Sequence, residues 1–461
     1  MKQLSDSLEV LVLAAGRGKR MASDLPKVLH GLAGRPLLRH VLDTVAELGP
    51  ARVHVVIGHK GDEVRAAVTD DVVWVEQIEQ RGTGDAVRRA LPGVAEGALV
   101  LVVYGDVPLI TAASLRGCVE AAAGGALTLI SAELEDPGQL GRIVRDAAGR
   151  IQRIVEFADA SAAERAVEEI NSGILAAPRP LLDSLLARIT PDNAQGEYYL
   201  TDIVALAVAD GMPVEGRTVA DPVEVRGIND RAELAAMERH CQRCLVAGLM
   251  AAGVSVADPA RVDVRGRVRA GRDCFLDVNV VLEGEVSLGH GVYVGPGAIV
   301  RDSALGDGVR VEAHSIVDGA EVGAHCAIGP FARLRPGTRL AERVRVGNFV
   351  ETKKAVLGPG SKANHLAYLG DATVGADCNV GAGTITCNYD GVDKHPTTIG
   401  DRVFVGTNAT LVAPIVIESD AYVAAGSTVT STVAEHELAV ARSRQRNIQG
   451  WVRPDRRKRE P

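Results

Sequence analysis

Two groups of residues in this chain have types and spacings that could do chemistry. In the first, Leu8 to Ala15 is a short apolar run that reads as a buried parallel strand and leads into Gly16-Arg17-Gly18-Lys19-Arg20-Met21, then Leu25-Pro26-Lys27. Glycine lets backbone N–H groups come close to a phosphate, and Arg20 and Lys27 could neutralise its charge. Two commoner phosphate loops are excluded. Met21 stands where a dinucleotide-binding GxGxxG needs its third glycine, and the Walker spacing is absent. Tyr104-Gly105-Asp106 closes a second apolar run, Leu99 to Val103, so a carboxylate stands at the C-terminal end of a strand, where open α/β sheets bind ligands. Alone, Asp106 would read as a turn or helix cap. Beside a phosphate loop it reads as a ligand of the Mg²⁺ that accompanies a nucleoside triphosphate. Gln77 to Thr83, with Gln80 and Gly82, offers amides and close-approach backbone suited to the edge of a base.

The second group lies past residue 350. It comprises Glu351-Thr352-Lys353-Lys354, the stretch Ser361 to Tyr368 with His365, and Thr384 to Lys394 with Asn388, Tyr389 and Asp390. Histidine titrates near working pH and can remove a proton from a nucleophile. His365 has Lys362 and Tyr368 close in sequence; His290, His314 and His325 occupy variable positions and are assigned no role.

The elements that must position these groups differ. Around the second runs a beat of six: Ile399, Val405, Leu411, Ile417, Val423 and Val429, preceded by Val322, Ile328, Leu334, Leu340 and Val346, and by Leu288, Val294 and Val300. A period of six fits neither a helix nor an isolated hairpin. It fits a parallel β-helix, in which each rung turns an aliphatic side chain inward and no rung is stable alone. The array breaks at 350–370 and 383–398, and both breaks are expected to be surface loops carrying the binding face. Around the first group, strand-like runs at Val53 to Ile57, Val72 to Val75 and Leu99 to Val103 alternate with helical stretches, which argues for α/β with a mainly parallel sheet. Gly141-Arg142, Glu156, Asn171-Ser172-Gly173 and Gly196 to Asp202 place polar groups between strands. That suits a hydroxyl-rich sugar and equally suits ordinary turns. Between the two regions a helix opens at Asn229-Asp230, with Leu234, Met237, Cys241 and Cys244 as its apolar seam. The Cys241-to-Cys244 pair is therefore read as core, not as half a metal site.

The chain has 461 residues, enough for two to four domains. Neither the net charge of −8 nor the 3% of aromatic residues favours a nucleic-acid surface, which needs a basic stripe and stacking rings, and no nucleic-acid partner is expected. The one basic cluster, Arg456-Arg457-Lys458-Arg459, reads as a solvated tail. Seven scattered cysteines fit reduced thiols in a cytoplasmic protein, and no signal peptide or membrane span is expected.

Taken together, the motifs LAAGxGxRM with PKVLH, GTG, YGD, NAQGEYYLTD, RLRPG, VGNFVETKK and GAGTITCNYDG span nearly the whole chain. The first half resembles the sugar-phosphate nucleotidyltransferases and the second the hexapeptide-repeat acyltransferases. The combination resembles the bacterial bifunctional N-acetylglucosamine-1-phosphate uridyltransferases and glucosamine-1-phosphate acetyltransferases. The resemblance implies a Rossmann-like uridyltransferase domain at 1–229, a linker helix at 230–251 and a left-handed β-helix acetyltransferase domain with a C-terminal tail at 252–461. Its implied substrates are glucosamine 1-phosphate, acetyl-CoA and UTP, and its products UDP-N-acetylglucosamine, a cell-wall precursor, and pyrophosphate. It implies that Leu13, Ala14, Ala15, Gly16, Lys27, Gln77, Gly82 and Thr83 hold the nucleotide. Tyr104, Gly105, Gly141, Glu156 and Asn171 would surround the sugar, and Asp106 and Asn229 would hold Mg²⁺. In the second half, Arg335, Lys353, Tyr368 and Asn379 match the amino-sugar phosphate site and His365 the catalytic base. Ala382, Asn388, Tyr389, Thr407, Ala425 and Arg442 match acetyl-CoA contacts, Thr407 replacing the family's usual serine. The family also implies a homotrimer.

Two other readings share the architecture: a single-activity nucleotidyltransferase whose coil only assembles the oligomer, and a non-catalytic regulatory subunit. The polar clusters past residue 350 argue against the first, and intact Arg20, Lys27 and Asp106 against the second.

Overall fold

A computed structural model of the chain describes residues 7–453; the start Met1 to Asp6 and the basic run Arg456 to Arg459 lie outside these. The chain divides into two compact units, Met1–Cys241 and Gln242–Pro461, and the division falls inside one helix, Arg231–Ala251.

The first unit is built on a twisted mixed sheet. Its strands run in the order Val214–Thr218, Leu127–Glu133, Glu169–Pro178, Leu99–Tyr104, Leu8–Leu13, Arg52–Ile57 and Val73–Glu76. Leu8–Leu13 is parallel to both of its neighbours, while Glu169–Pro178 is antiparallel to both of its own. The parallel centre is buried on both faces. All six residues of Leu8–Leu13 are buried, which explains why it reads as a continuous apolar run and not as an alternation. Helices such as Leu37–Ala46 and Ala112–Ala122 cover the faces with their apolar stripes. The ends of the parallel strands open into the Gly16–Lys27 loop and the Tyr104-Gly105-Asp106 corner, and Gly105 N–H donates to Leu13 O at 3.0 Å, tying the two together.

The second unit is a coil of short parallel strands in three ladders. One runs through Val346, Ala363, Val380, Val405 and Val423, paired rung on rung. Every residue of the six-residue beat is buried. One expectation about the coil needs correction. The stretch 350–370 is not a loop: Glu351–Lys353, Val356–Leu357, Lys362–His365 and Tyr368–Gly370 are strands in unbroken register. Thr352, Ala363 and Thr386 fill inward positions in place of larger aliphatics, and the Thr352 hydroxyl is satisfied by Thr338 at 2.9 Å, so the coil continues where the aliphatic pattern fails. His365 accordingly lies on a strand. The second break is a real insertion: Val374 pairs with Ile399, a longer step than Leu357 to Val374, and a turn at 388–396 bulges from the coil with Tyr389 and Lys394 bridged across it.

The helix Arg231–Ala251 is capped by Asp230, whose carboxylate accepts from the Ala232 and Glu233 N–H groups at 2.9 and 2.8 Å. Its seam also differs from expectation. Met237 and Cys241 are buried, but Cys244 is exposed, and the stripe continues instead through Gln242 and Val246. The Gln242 amide is buried because it pairs in both directions with the Val264 backbone, at 2.7 Å each way. Among the described residues no helix is long and apolar enough to cross a membrane.

Candidate active sites

The first unit carries a cleft of about 310 Å³ at the C-terminal ends of its parallel strands. Ten of the expected residues line it: Leu13, Ala14, Ala15 and Gly16 from the first strand and its loop, then Lys27, Gln77, Gly82, Thr83, Tyr104 and Asp106. Gly82 has φ 108°, and a Cβ there would lie 2.6 Å from Tyr198 O, so this turn requires glycine. The segment behind it is held by Gly84 N–H donating to Tyr198 O at 2.8 Å and by Leu200 N–H donating to Thr83 Oγ1 at 3.2 Å.

Lys27 Nζ is hydrogen-bonded to Asp106 Oδ2, and to Asn229 Oδ1 at 2.8 Å. Residues far apart in sequence thus turn a carboxylate and an amide oxygen toward one cationic atom. Both are hard oxygen donors, the set that suits a small divalent cation such as Mg²⁺.

Gly105, Gly141, Glu156 and Asn171 do not line the cleft, but the last three form one patch joined to it. Asn171 N–H donates to Gly141 O at 2.9 Å, and a Cβ on Gly141 would lie 3.2 Å from Glu156 Oε2. Thr201 Oγ1 donates to Glu156 Oε1 at 3.0 Å. Burial raises the Glu156 carboxyl above the usual range; Asp202 and Asp159 add to this and the Thr201 bond offsets part of it. Tyr104 bridges patch and cleft. Burial, then the Glu156 and Asp106 charges, push its phenol well above the ordinary value, so it is a neutral donor. Arg20 is exposed on the short helical turn Lys19–Met21 and is not among the lining side chains; Arg17 is. Sequence reasoning passed over Arg17 as a ligand contact and gave Glu197, which also lines the cleft, only as part of a polar stretch that suits a sugar or a turn. Arg17 sits in the glycine loop it did identify, but nothing in the spacing says which arginine turns inward.

In the second unit the expected donor contacts line up along one corner of the coil. Gly383 N–H donates to Leu366 O at 2.9 Å, Asn408 N–H to Ala382 O at 2.7 Å and Gly426 N–H to Thr407 O at 2.8 Å, while the Arg442 guanidinium meets Ala425 O. His365, next to Leu366, is therefore one rung from Ala382. Its Nδ1 lies 2.7 Å from Asn348 Oδ1, and Asn348 is its register partner on the neighbouring strand. An amide oxygen can only accept, so Nδ1 carries the proton and Nε2 keeps its lone pair. Asn348 was not anticipated, because its position beside His365 is a matter of register and not of spacing.

Arg335, Lys353 and Tyr368 lie on adjoining rungs of another face, and Arg335 Nη1 is 2.8 Å from Glu351 Oε1. Lys394, from the inserted turn, comes up against Lys353. This contact, then desolvation and then Arg335, lowers the Lys353 ammonium below its usual range, while Asp371 works against the shift. Three cations so crowded suit a dianionic phosphate. Asn379 lies on a different ladder, paired with Lys362 and Phe404. Asn388 Nδ2 donates to Asp371 Oδ2 at 2.5 Å, and exposed Tyr389 donates to Gly391 O at 2.5 Å. Of the Gly381–Gly383 backbone amides, Gly381 donates to Val405 O and Gly383 to Leu366 O, which leaves Ala382 N–H outside the coil's own bonding.

The comparisons agree with this two-part construction. A MobA-like NTP transferase domain matches residues 10–173, a GMPPB C-terminal domain 264–364 and a hexapeptide repeat of succinyl-transferase 396–431. The bifunctional protein GlmU of Alkalilimnicola ehrlichii is 54% identical over 98% of this chain and 98% of its own. That of Marinobacter nauticus is 52% identical over 97% and 99%. With half of all positions identical through both units, the coil being of the left-handed hexapeptide type, the chain belongs to the GlmU family of bifunctional uridyltransferase–acetyltransferase enzymes.

Proposed function

We propose that the chain acetylates glucosamine 1-phosphate with acetyl-CoA on its coil and then, in its first unit, transfers UMP from UTP to the N-acetylglucosamine 1-phosphate formed. The observation that carries this reading is the presence of two separate sets of groups suited to different reactions. One is a phosphate loop facing paired oxygen donors; the other is an oriented histidine beside a tri-cationic patch.

On the coil, Arg335, Lys353 and Lys394 hold the sugar phosphate, with Tyr368 and Asn379 beside the sugar. Ala382, Asn388, Tyr389, Thr407, Ala425 and Arg442 seat acetyl-CoA along the corner. The amine nitrogen attacks the thioester carbonyl carbon as His365 Nε2 takes its proton. The tetrahedral oxyanion accepts a hydrogen bond from Ala382 N–H, then collapses to the amide with loss of the CoA thiolate, which is reprotonated. In the first unit a phosphate oxygen of the sugar attacks the α-phosphorus of UTP, and pyrophosphate leaves. Little covalent chemistry is asked of the protein; its work is in-line positioning and charge neutralisation. Leu13 to Gly16, Gln77, Gly82 and Thr83 seat the nucleotide, Arg17, Arg20 and Lys27 meet its phosphates, and Tyr104, Gly105, Gly141, Glu156 and Asn171 fix the sugar. Asp106 and Asn229 are the residues that would hold Mg²⁺, which when bound neutralises phosphate oxygens. The division 1–229, 230–251 and 252–461, a homotrimer and a cytoplasmic setting belong to the same proposal.

The experiment supplies acetyl-CoA and glucosamine 1-phosphate and follows free thiol, then adds UTP with Mg²⁺ and follows pyrophosphate. Thiol release without pyrophosphate release, or no thiol release but pyrophosphate release once ready-made N-acetylglucosamine 1-phosphate is added, would leave a single-activity enzyme.

A further inference from the structure

Asp85 lies outside the groups assigned above and does not line the cleft, yet it is buried, with 7% of its surface exposed. It sits in the first turn of the helix Thr83–Ala90 and meets two side chains. Arg89 Nε donates to its Oδ2 at 2.9 Å, and Gln77 Nε2 donates to the same oxygen at 3.0 Å. Gln77 Nε2 makes one further bond, to Gly82 O at 3.0 Å.

These bonds settle the orientation of the Gln77 side chain. A primary amide has two N–H donors and one carbonyl acceptor. A carboxylate paired with an arginine and a backbone carbonyl can only accept, so both must face the amide nitrogen. Both of its hydrogens are thereby taken, and the carbonyl oxygen Oε1 is the group left over. Gln77 is 3% exposed and lines the cleft, and no described protein donor meets Oε1. The side chain therefore offers the cleft a buried acceptor with no donor to give, and it cannot flip without turning Oε1 onto the Asp85 carboxylate and the Gly82 carbonyl.

We propose that Asp85 is a positioning residue for base selectivity: by locking Gln77 with Oε1 toward the ligand, it makes the cleft select a pyrimidine that carries an N–H at ring position 3 and reject one that carries a lone pair there. Uracil has that N–H, and cytosine has a lone pair. A cytosine seated in the same place would set two acceptors against each other in a dry site, where a buried unpaired acceptor is most costly. The inference rests on the reading that this cleft binds the nucleotide base near Gln77, and it goes beyond that reading by naming the residue that fixes the direction of the amide.

The test is the ratio of kcat/KM for UTP over CTP in the full-length enzyme, for the wild type, Asp85→Asn and Asp85→Ala. Asparagine keeps the shape and can donate to Gln77 Oε1, which permits the flip; alanine removes the lock. The UTP-to-CTP ratio should fall by about tenfold or more in Asp85→Asn, the worth of one buried hydrogen bond gained or lost. The change should come as improved or retained use of CTP alongside poorer use of UTP, with Asp85→Ala intermediate. A ratio that stays at the wild-type value while both substrates decline together would show that Asp85 only supports the fold, and would overturn the proposal. A wild-type enzyme that uses UTP and CTP equally would instead overturn the underlying placement of the base. Acetyl transfer and the melting profile of each variant report separately on folding.

Discussion

The two units assemble their sites in opposite ways. In the coil, neighbours are set by the ladder: His365 pairs with Asn348 one rung away, and Ala382, Thr407 and Ala425 succeed one another along a single corner. In the first unit the site is gathered from loops that share no repeat. Lys27 meets Asp106 and Asn229, and Glu156 meets Thr201, across long stretches of chain. A repeat lets a fold add a site by changing outward side chains while its inward residues remain a stack. A doubly wound sheet must place each loop separately, and a loss anywhere in the set weakens the whole. The comparison predicts that substitutions in one unit's site leave the other unit's reaction intact.

The largest effect is expected at Asp106. Asp106→Ala removes one of the two oxygens that converge on Lys27 and leaves the other oxygen alone. Pyrophosphate release should drop below detection while acetyl transfer continues near the wild-type rate. Equal loss of both activities would mean that the units are not independent and that the contrast drawn above is wrong.

Next comes His365. With Nδ1 turned to Asn348, Nε2 is the base, and His365→Ala should lower acetyl-transfer turnover on the order of 10²–10⁴-fold, the usual share of a general base. Uridylyl transfer to ready-made N-acetylglucosamine 1-phosphate should be unaffected. Wild-type turnover in the variant would remove His365 from the mechanism.

The same contrast decides what could be read without coordinates. The six-residue beat revealed the coil because each inward position meets a similar environment, and the six beat positions from Ile399 to Val429 are all buried. It misled where inward positions went to Thr352 and Ala363, which the core accepts at no loss of register although the aliphatic signal vanishes. The glycine loop and Asp106 were legible because they occur together at strand ends, although each alone would pass for ordinary turn or cap chemistry. Asn348, Arg17 and Asp85 were not, since each is defined by a partner: a residue one rung away, a direction of approach, or an amide orientation. Cys244 shows the limit of helical spacing, for the seam passes through Gln242, whose polarity hid a buried backbone pairing.

A smaller effect is expected at Lys394, which reaches the cationic patch of Arg335 and Lys353 from the only inserted turn among the described rungs past Val374. Lys394→Ala should raise KM for glucosamine 1-phosphate roughly tenfold, about 1.4 kcal/mol of binding, with kcat little changed, because it removes charge from the ground state and transition state alike. The Lys353 ammonium would move back up toward its ordinary range, since Lys394 is the main cause of its depression. An unchanged KM would mean that the turn is not part of this site, and that the coil needs only its rungs to hold the sugar.

The smallest effect is on the acid stability of the first unit. In the first unit, burial alone would raise the Asp43 carboxyl, but hydrogen bonds from Arg35 and Arg39 outweigh it and hold the group at about 2, against 3.8 for a free aspartate. Asp43 thus binds its proton less readily when folded than when unfolded. The stabilisation is therefore complete above about pH 4 and is lost as pH falls toward 2. The ion pairs are partly open to water, so screening reduces their worth to about 1 kcal/mol. The coil has a counterpart on its surface, where the hydrogen bonds from Arg402 hold the Asp420 carboxyl below its ordinary range; its inward positions, filled by aliphatics, by threonines such as Thr352 and by cysteines such as Cys326, whose thiol burial pushes up to about 11, stay neutral throughout acid. Asp43→Asn should therefore lower the stability of the first unit by about 1 kcal/mol at neutral pH, measured by denaturant titration, and should match the wild type below pH 2. A difference between the two proteins that persists unchanged at pH 2 would mean that Asp43 acts through packing and not through its charge.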